Sequence, residues 1–170
     1  YQNLYSNAFG EGSTNQNESG IYSGLLVYLH RNWTFRGYSD VFSSPWLRYR
    51  VSFPSRGYEY LAQLDYHPNR RLEMYLRYRF KQKPLNETSD PNMIKAGETV
   101  KESFRLHASY AAMRQLLLKS RIEFLRYKLP DRGFQNGFLI YQDVQYQPTS
   151  KPYTVTLRYA LFDTDSYDER

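Results

Sequence analysis

Arg77, Arg79, Arg105 and Arg158 each stand between apolar or aromatic neighbours, and Arg121 stands between a serine and an isoleucine. Glu59, Asp65, Glu73 and Glu123 occupy equally apolar settings. Charges so placed have one use wherever they share a confined surface: they pair with each other, because an uncompensated charge held away from water is costly. The expected outcome is a lattice of ion pairs that holds a wall in shape. The alternative is a pore or groove that selects anions.

Other chemistry is harder to assemble. His30 and His67 fall near turns, and only His107 is expected mid-element, where Ser103 or Ser109 and an acid could complete a hydrolytic triad on paper. No nucleophile-elbow motif accompanies them, so no catalytic residue is assigned. The stretch Gly10 to Gly20, GEGSTNQNESG, lacks the Gly-Lys-Ser/Thr ending of a phosphate-binding loop and reads as a surface loop. Asp163 to Glu169 carries carboxylates but lacks the glycine and closing bidentate glutamate of a calcium loop. With no cysteine in the chain, disulfides, thiolate catalysis and cysteine metal sites are ruled out. Neither metal nor cofactor is expected.

The elements that must position these charges are strands. From Arg71 to Lys81, Leu72, Met74, Leu76, Tyr78 and Phe80 alternate with Glu73, Tyr75, Arg77, Arg79 and Lys81. A helix would scatter those charges around its circumference, whereas a strand puts them on one face. The same alternation marks Tyr58 to Tyr66, Ser103 to Tyr110, Leu116 to Phe124 and Tyr153 to Phe162, and more weakly Ile21 to His30, Trp33 to Asp40 and Gly137 to Gln147. Strands are therefore expected near 20–30, 33–40, 58–66, 71–82, 101–112, 115–127, 137–147 and 153–162, after a surface loop over 1–19. Short links at Arg31-Asn32, His67 to Arg70, Met113-Arg114 and Pro148 to Lys151 alternate with longer ones at Val41 to Gly57, Lys83 to Val100 and Lys128 to Asn136. Such alternation belongs to an up-and-down barrel with short turns at one end. Trp46 to Phe53 would break that parity as a further strand and is assigned to a hairpin or strand extension. The tripeptide Leu-Arg-Tyr recurs at Leu47, Leu76, Leu125 and Leu157. The copy at Leu125 is out of phase with Ile122 and Phe124, which predicts a β-bulge or an exit from the membrane there.

Composition agrees with a wall that is wet on one side. Aromatic residues make up 18% of the chain, with 18 Tyr and 10 Phe, yet mean hydropathy is −0.76. No run of 18 apolar residues is present, which excludes membrane-crossing helices. Net charge is +6, and Trp46-Leu47-Arg48-Tyr49-Arg50 interleaves basic and aromatic residues as a nucleic-acid platform does. Alternation sends the two kinds to opposite faces, so no nucleic acid is expected as partner. Asn17, Asn32 and Asn86 open Asn-x-Ser/Thr sequons, which carry little weight if the source is bacterial.

The segments Tyr1 to Ser13 (YQNLYSNAFGEGS), Pro45 to Val51 (PWLRYRV), Pro54 to Leu61 (PSRGYEYL) and Phe162 to Asp168 (FDTDSYD) resemble the C-terminal barrel region of a Bacteroidetes envelope family. Its members are usually labelled by N-terminal helix-hairpin-helix repeats like those of competence DNA-binding proteins. The resemblance implies an outer-membrane location, with membrane lipids or lipopolysaccharide and other outer-membrane proteins of a larger complex as partners. The helix-hairpin-helix part has no counterpart here, so DNA binding does not carry over. Members continue past the Ser-Tyr-Asp motif, which implies an internal part of a larger barrel, and the closing Arg170 in place of a terminal aromatic agrees.

Together these readings predict an all-β, antiparallel up-and-down transmembrane β-barrel, about eight strands in one domain over 1–170. Its expected role is structural, assembly or transport, without catalysis. An outer-membrane hydrolase centred on His107 and a soluble eight-stranded ligand-binding barrel are the alternatives.

Overall fold

The computed structural model describes residues 18–46, 51–87, 95–130, 133–149 and 151–165. Among them the only regular elements are eight strands: β1 (Ser19–His30), β2 (Trp33–Ser44), β3 (Ser55–Asn69), β4 (Leu72–Glu87), β5 (Lys95–Met113), β6 (Leu116–Lys128), β7 (Phe134–Tyr146) and β8 (Val155–Thr164). They form one antiparallel sheet in sequence order, each strand pairing with the next. β1 and β8 have no second partner among the described residues, so the sheet is open.

Directly opposed residues of antiparallel strands share a face. One face therefore carries, row by row, Leu64, Leu76, Leu106, Ile122, Ile140 and Leu161, and beside it Ala62, Tyr78, Phe104, Phe124 and Phe138. The other carries Glu59, Gln63, Asp65, Arg77, Arg105, Glu123 and Asp143. Burial inverts the order of an ordinary soluble sheet. Glu59, Gln63, Asp65 and Asp143 are at most 6% exposed, whereas Leu157 is 70% exposed. A lone sheet can shield side chains on one face only by curling around it, and the polar face is the inner one. On the outer face the polar pair Ser120 and Gln142 is satisfied internally, the serine hydroxyl donating to the glutamine carbonyl oxygen.

The short turns are stitched to one another. The amide of His67 donates to the Asn32 carbonyl (2.9 Å), that of Ala111 to Arg71 (2.8 Å) and that of Gln147 to Gln115 (2.8 Å). In the β3–β4 turn, the Asn69 carboxamide oxygen accepts from the amides of Arg71 (2.8 Å) and Leu72 (3.0 Å), the local closure that suits asparagine to such turns. Bulges fall beside three of these turns, between Tyr28 and His30, Tyr66 and Asn69, and Ala111 and Met113.

Strands overrun their expected ends on the long-loop side. β2 runs on to Ser44, β3 begins at Ser55, β4 reaches Glu87, β5 begins at Lys95 and β7 at Phe134. There the outward residues include Ser43, Gln82, Glu98 and Lys128, so the apolar alternation that announces a strand has gone while the ladder continues. β8 begins at Val155, so the link after β7 is longer than the Pro148 to Lys151 turn expected. Ser19 and Gly20 belong to β1 and not to a loop. Residues 1–17, most of the predicted loop and the first resemblance segment, lie outside the described residues, as do 47–50 and the Leu47 tripeptide. Among the described residues between Ser44 and Ser55, Val51 makes an isolated bridge. β1 alternates poorly because its inner-face residues Tyr22, Leu26 and Tyr28 are aromatic or apolar too.

The bulge or membrane exit expected at Leu125 is corrected in its first form. Pairing of β6 with β5 and β7 runs in unbroken register from Leu117 or Leu116 to Lys128. Leu125 and Tyr127 simply face inward, and Arg126 faces outward, 3.9 Å from Glu102. The apolar outer band ends at this row.

Phe42 and Val51 are the buried hydrophobic side chains among the described residues, and they sit at the long-loop end of the sheet. The Phe42 ring covers Gly57, its opposite number, where an added Cβ would also lie 2.9 Å from the Gln82 carbonyl oxygen. Pro130 covers Gly97 in the same manner. Pro84 lies beyond Gln82, where the β3 ladder has stopped, so its missing N–H costs no pairing on that side. Gly57→Ala should destabilise by about 1–3 kcal/mol, as overpacking does, and by less in a Phe42→Leu background. Denaturant midpoints of the single and double variants measure both.

Candidate functional site on the inner face

All nine residues expected to form a charge network, Arg77, Arg79, Arg105, Arg121, Arg158, Glu59, Asp65, Glu73 and Glu123, lie on the inner face by register. β3 and β4 supply the first half of it. Glu59 is the hub: Arg79 donates from Nε (2.8 Å) and Nη2 (2.5 Å), Lys81 Nζ is 2.5 Å from its other oxygen, and the Tyr38 hydroxyl donates to it. Lys81 is directly opposite Glu59, while Arg79 and Tyr38 reach it diagonally.

Two further carboxylates are each held by a forked guanidinium contact. Arg105 donates from Nε (2.9 Å) and Nη2 (2.8 Å) to the two oxygens of Glu123. Arg158 does the same to Asp143, at 2.6 and 2.8 Å. Both pairs are directly opposed across neighbouring strands, the arrangement in which such a fork meets both oxygens.

Arg77 departs from expectation. Its expected partner is an inward carboxylate, but its Nε donates to the Gln63 carboxamide oxygen (2.7 Å), and Gln63 Nε2 in turn donates to Asp65 (2.6 Å). Asp65 takes its cation from Arg36, at 3.2 Å, and Glu73 pairs with His67, at 3.3 Å. Arg121 forms no ion pair among the described residues; its guanidinium lies 5.0 Å from the centre of the Tyr141 ring, which Arg158 also approaches to 4.6 Å. Sequence reasoning thus missed Arg36, His67, Lys81, Gln63 and Asp143. Parity within β2, β4 and β7 marked Arg36, Lys81 and Asp143 as inward; the weak alternation of β2 and β7 hid two of them.

The triad drawn on paper does not assemble. Ser103, His107 and Ser109 share the inner face of β5, but His107 Nδ1 has no hydrogen-bond partner and no carboxylate orients the ring, which instead packs against Tyr75 at 5.1 Å. At the C-terminal acidic stretch, one Asp165 oxygen accepts the Asn136 amide (2.9 Å), and residues 166–169 lie outside the described set. Among the described residues no cluster of three His, Asp or Glu side chains could hold a metal ion. Asn86 is bonded to Ser52, donating to its hydroxyl and accepting its amide, both at 2.9 Å, which ties the β2–β3 connection to β4.

A double-mutant cycle separates these contacts. Glu59→Gln with Arg79→Met should show a coupling of about 1–3 kcal/mol, the range for residues in one network, discounted toward its lower end because Arg79 is 45% exposed. Glu59→Gln with Arg77→Met should be additive within about 0.5 kcal/mol. Unfolding free energies of the four variants decide it, and equal coupling in the two cycles would refute the assigned pairing. No family model, curated protein or solved structure matches the chain.

Proposed function

We propose that this chain forms wall of a β-barrel in a bacterial outer membrane, with a structural, assembly or transport role in the envelope and no catalysis. The supporting observation is the inverted polarity of the sheet. Buried inner residues are charged and exposed outer residues are aliphatic and aromatic, the distribution of a wall with lipid outside and water or packed ion pairs within.

Dimensions and girdles agree. On β4 the apolar outer positions run from Leu72 to Phe80. That is about 27 Å of strand, or about 21 Å of height at a tilt of about 40°, near the 25 Å typical of such bands. Trp33, Tyr66, Tyr110, Tyr146 and Tyr159 lie on the outer face toward the short-turn end, and Tyr58, Tyr60 and Phe80 toward the other. Amphipathic rings favour both membrane boundaries. In a bilayer the free edges of β1 and β8 require partners, since unpaired backbone groups are not tolerated in hydrocarbon. On this reading the two edges pair with each other or with further strands of a larger barrel, as the Bacteroidetes resemblance implies. A soluble barrel around an apolar ligand would need the aliphatic set on the inner face, the reverse of the observed arrangement.

Extraction of the full chain tests the proposal directly. Folding that requires detergent or lipid, with compact gel mobility before heating, is expected; a monomer stable in plain buffer would overturn it. Leu76→Arg should cost about 2–4 kcal/mol in bilayer unfolding if that position faces mid-membrane lipid, and Leu157→Arg, on the short-turn side of Tyr159, about 0–1 kcal/mol. A near-neutral value at Leu76 would place the band elsewhere.

A further inference from the structure

Below the Arg105–Glu123 pair and beside the Arg158–Asp143 pair, the inner face holds two cations, Arg121 and Lys119, with no ion pair of their own among the described residues. Arg121 is the centre. It is directly opposite His107 on β5 and Tyr141 on β7, and its Nε is buried with no hydrogen-bond partner. His107 Nδ1, facing it across the ladder, is buried and unpartnered as well. Two orphaned ring and guanidinium nitrogens side by side are unusual, since buried polar atoms find partners in all but a few cases.

The nearest carboxylates do not meet them. Glu123 is forked by Arg105 and Asp143 by Arg158, and neither bonds Arg121 Nε or His107 Nδ1. Glu73 is engaged by His67. Lys119, the next inward residue on β6, is opposite Asp143 and forms no ion pair with it, and Arg77 is bonded only through neutral Gln63. Positive charge is therefore locally in excess around two buried, unpartnered nitrogens on directly opposed residues.

We propose that the inner face between His107 and Arg121 binds a small oxyanion, a carboxylate or phosphate group of a solute. The anion's oxygens accept from Arg121 Nε and from His107 Nδ1 as its N–H tautomer, and Lys119 and Arg77 add long-range attraction. Charge-assisted hydrogen bonds of this kind are the strong ones, and arginine's planar fork suits them. This goes beyond a barrel role, and it rests on face geometry, so it stands or falls apart from the membrane assignment.

The chain has three histidines, so a histidine-labelled sample in detergent gives few imidazole signals, and His107→Gln assigns the relevant one. Titration with inorganic phosphate, and separately with acetate, at constant ionic strength should shift the His107 signal saturably with at least one of them. Arg121→Gln should weaken that binding by about tenfold or more, the loss expected for a hydrogen bond to a charged group. Arg56→Gln, at the far end on the outer face, should leave it unchanged. If Arg121→Gln does not fold, Arg121→Lys, which keeps the charge but lacks Nε, should show the same weakening. No saturable shift with either anion, or unaltered affinity in the folded Arg121 variant, overturns the site. A protein that stays soluble without detergent yet binds the anion would sink the membrane proposal alone.

Discussion

The register of the antiparallel ladder is the constraint from which the rest of this molecule follows. Opposed residues share a face, so one strand's alternation is imposed on the next, and eight strands in sequence order extend it across the sheet. A slip of one residue anywhere would send a row such as Leu64, Leu76 and Leu106 inward and bring Gln63, Arg77 and Arg105 outward. The stitched short turns and their adjacent bulges anchor the register at one end. Phe42 over Gly57 and Pro130 over Gly97 lock the other.

Given that register, the inner face is an electrostatic problem solved pair by pair. Direct opposition yields the forked contacts Arg105–Glu123 and Arg158–Asp143 and the Lys81–Glu59 pair. Diagonal reach yields Arg79–Glu59 and Arg36–Asp65. Several of these cations are half exposed, so each pair contributes less than its close geometry suggests. Their value lies more in what they prevent, a carboxylate left buried and alone, than in what each adds. Arg121 shows the limit of the solution: an aromatic face in place of a carboxylate, with its Nε left over.

Reading from sequence failed where the local signal is weak for a physical reason. Beyond the apolar band polar residues take outward positions, so alternation ends before the strand does, as at Gln82 on β4 and Glu98 on β5. On β1 both faces carry aromatic or apolar side chains, and period two is blurred. At Leu125 sequence suggests a bulge because an inward leucine looks like an outward one slipped by a residue; the unbroken ladder shows no bulge there.

Alternation is a property of a single strand, and so the amino-acid sequence alone determined the strand count, the up-and-down order and the face of the nine charges expected in the network. It also separated the aliphatic face from the charged one. Partnership is a property of two strands, and only the tertiary structure decided it. Turn lengths, bulges and register determined that Arg77 meets Gln63, that Asp65 is served by Arg36, and that Arg121 and His107 stand directly opposite each other. The burial of the polar face is likewise a tertiary fact, because which face a sheet curls around depends on all its strands at once.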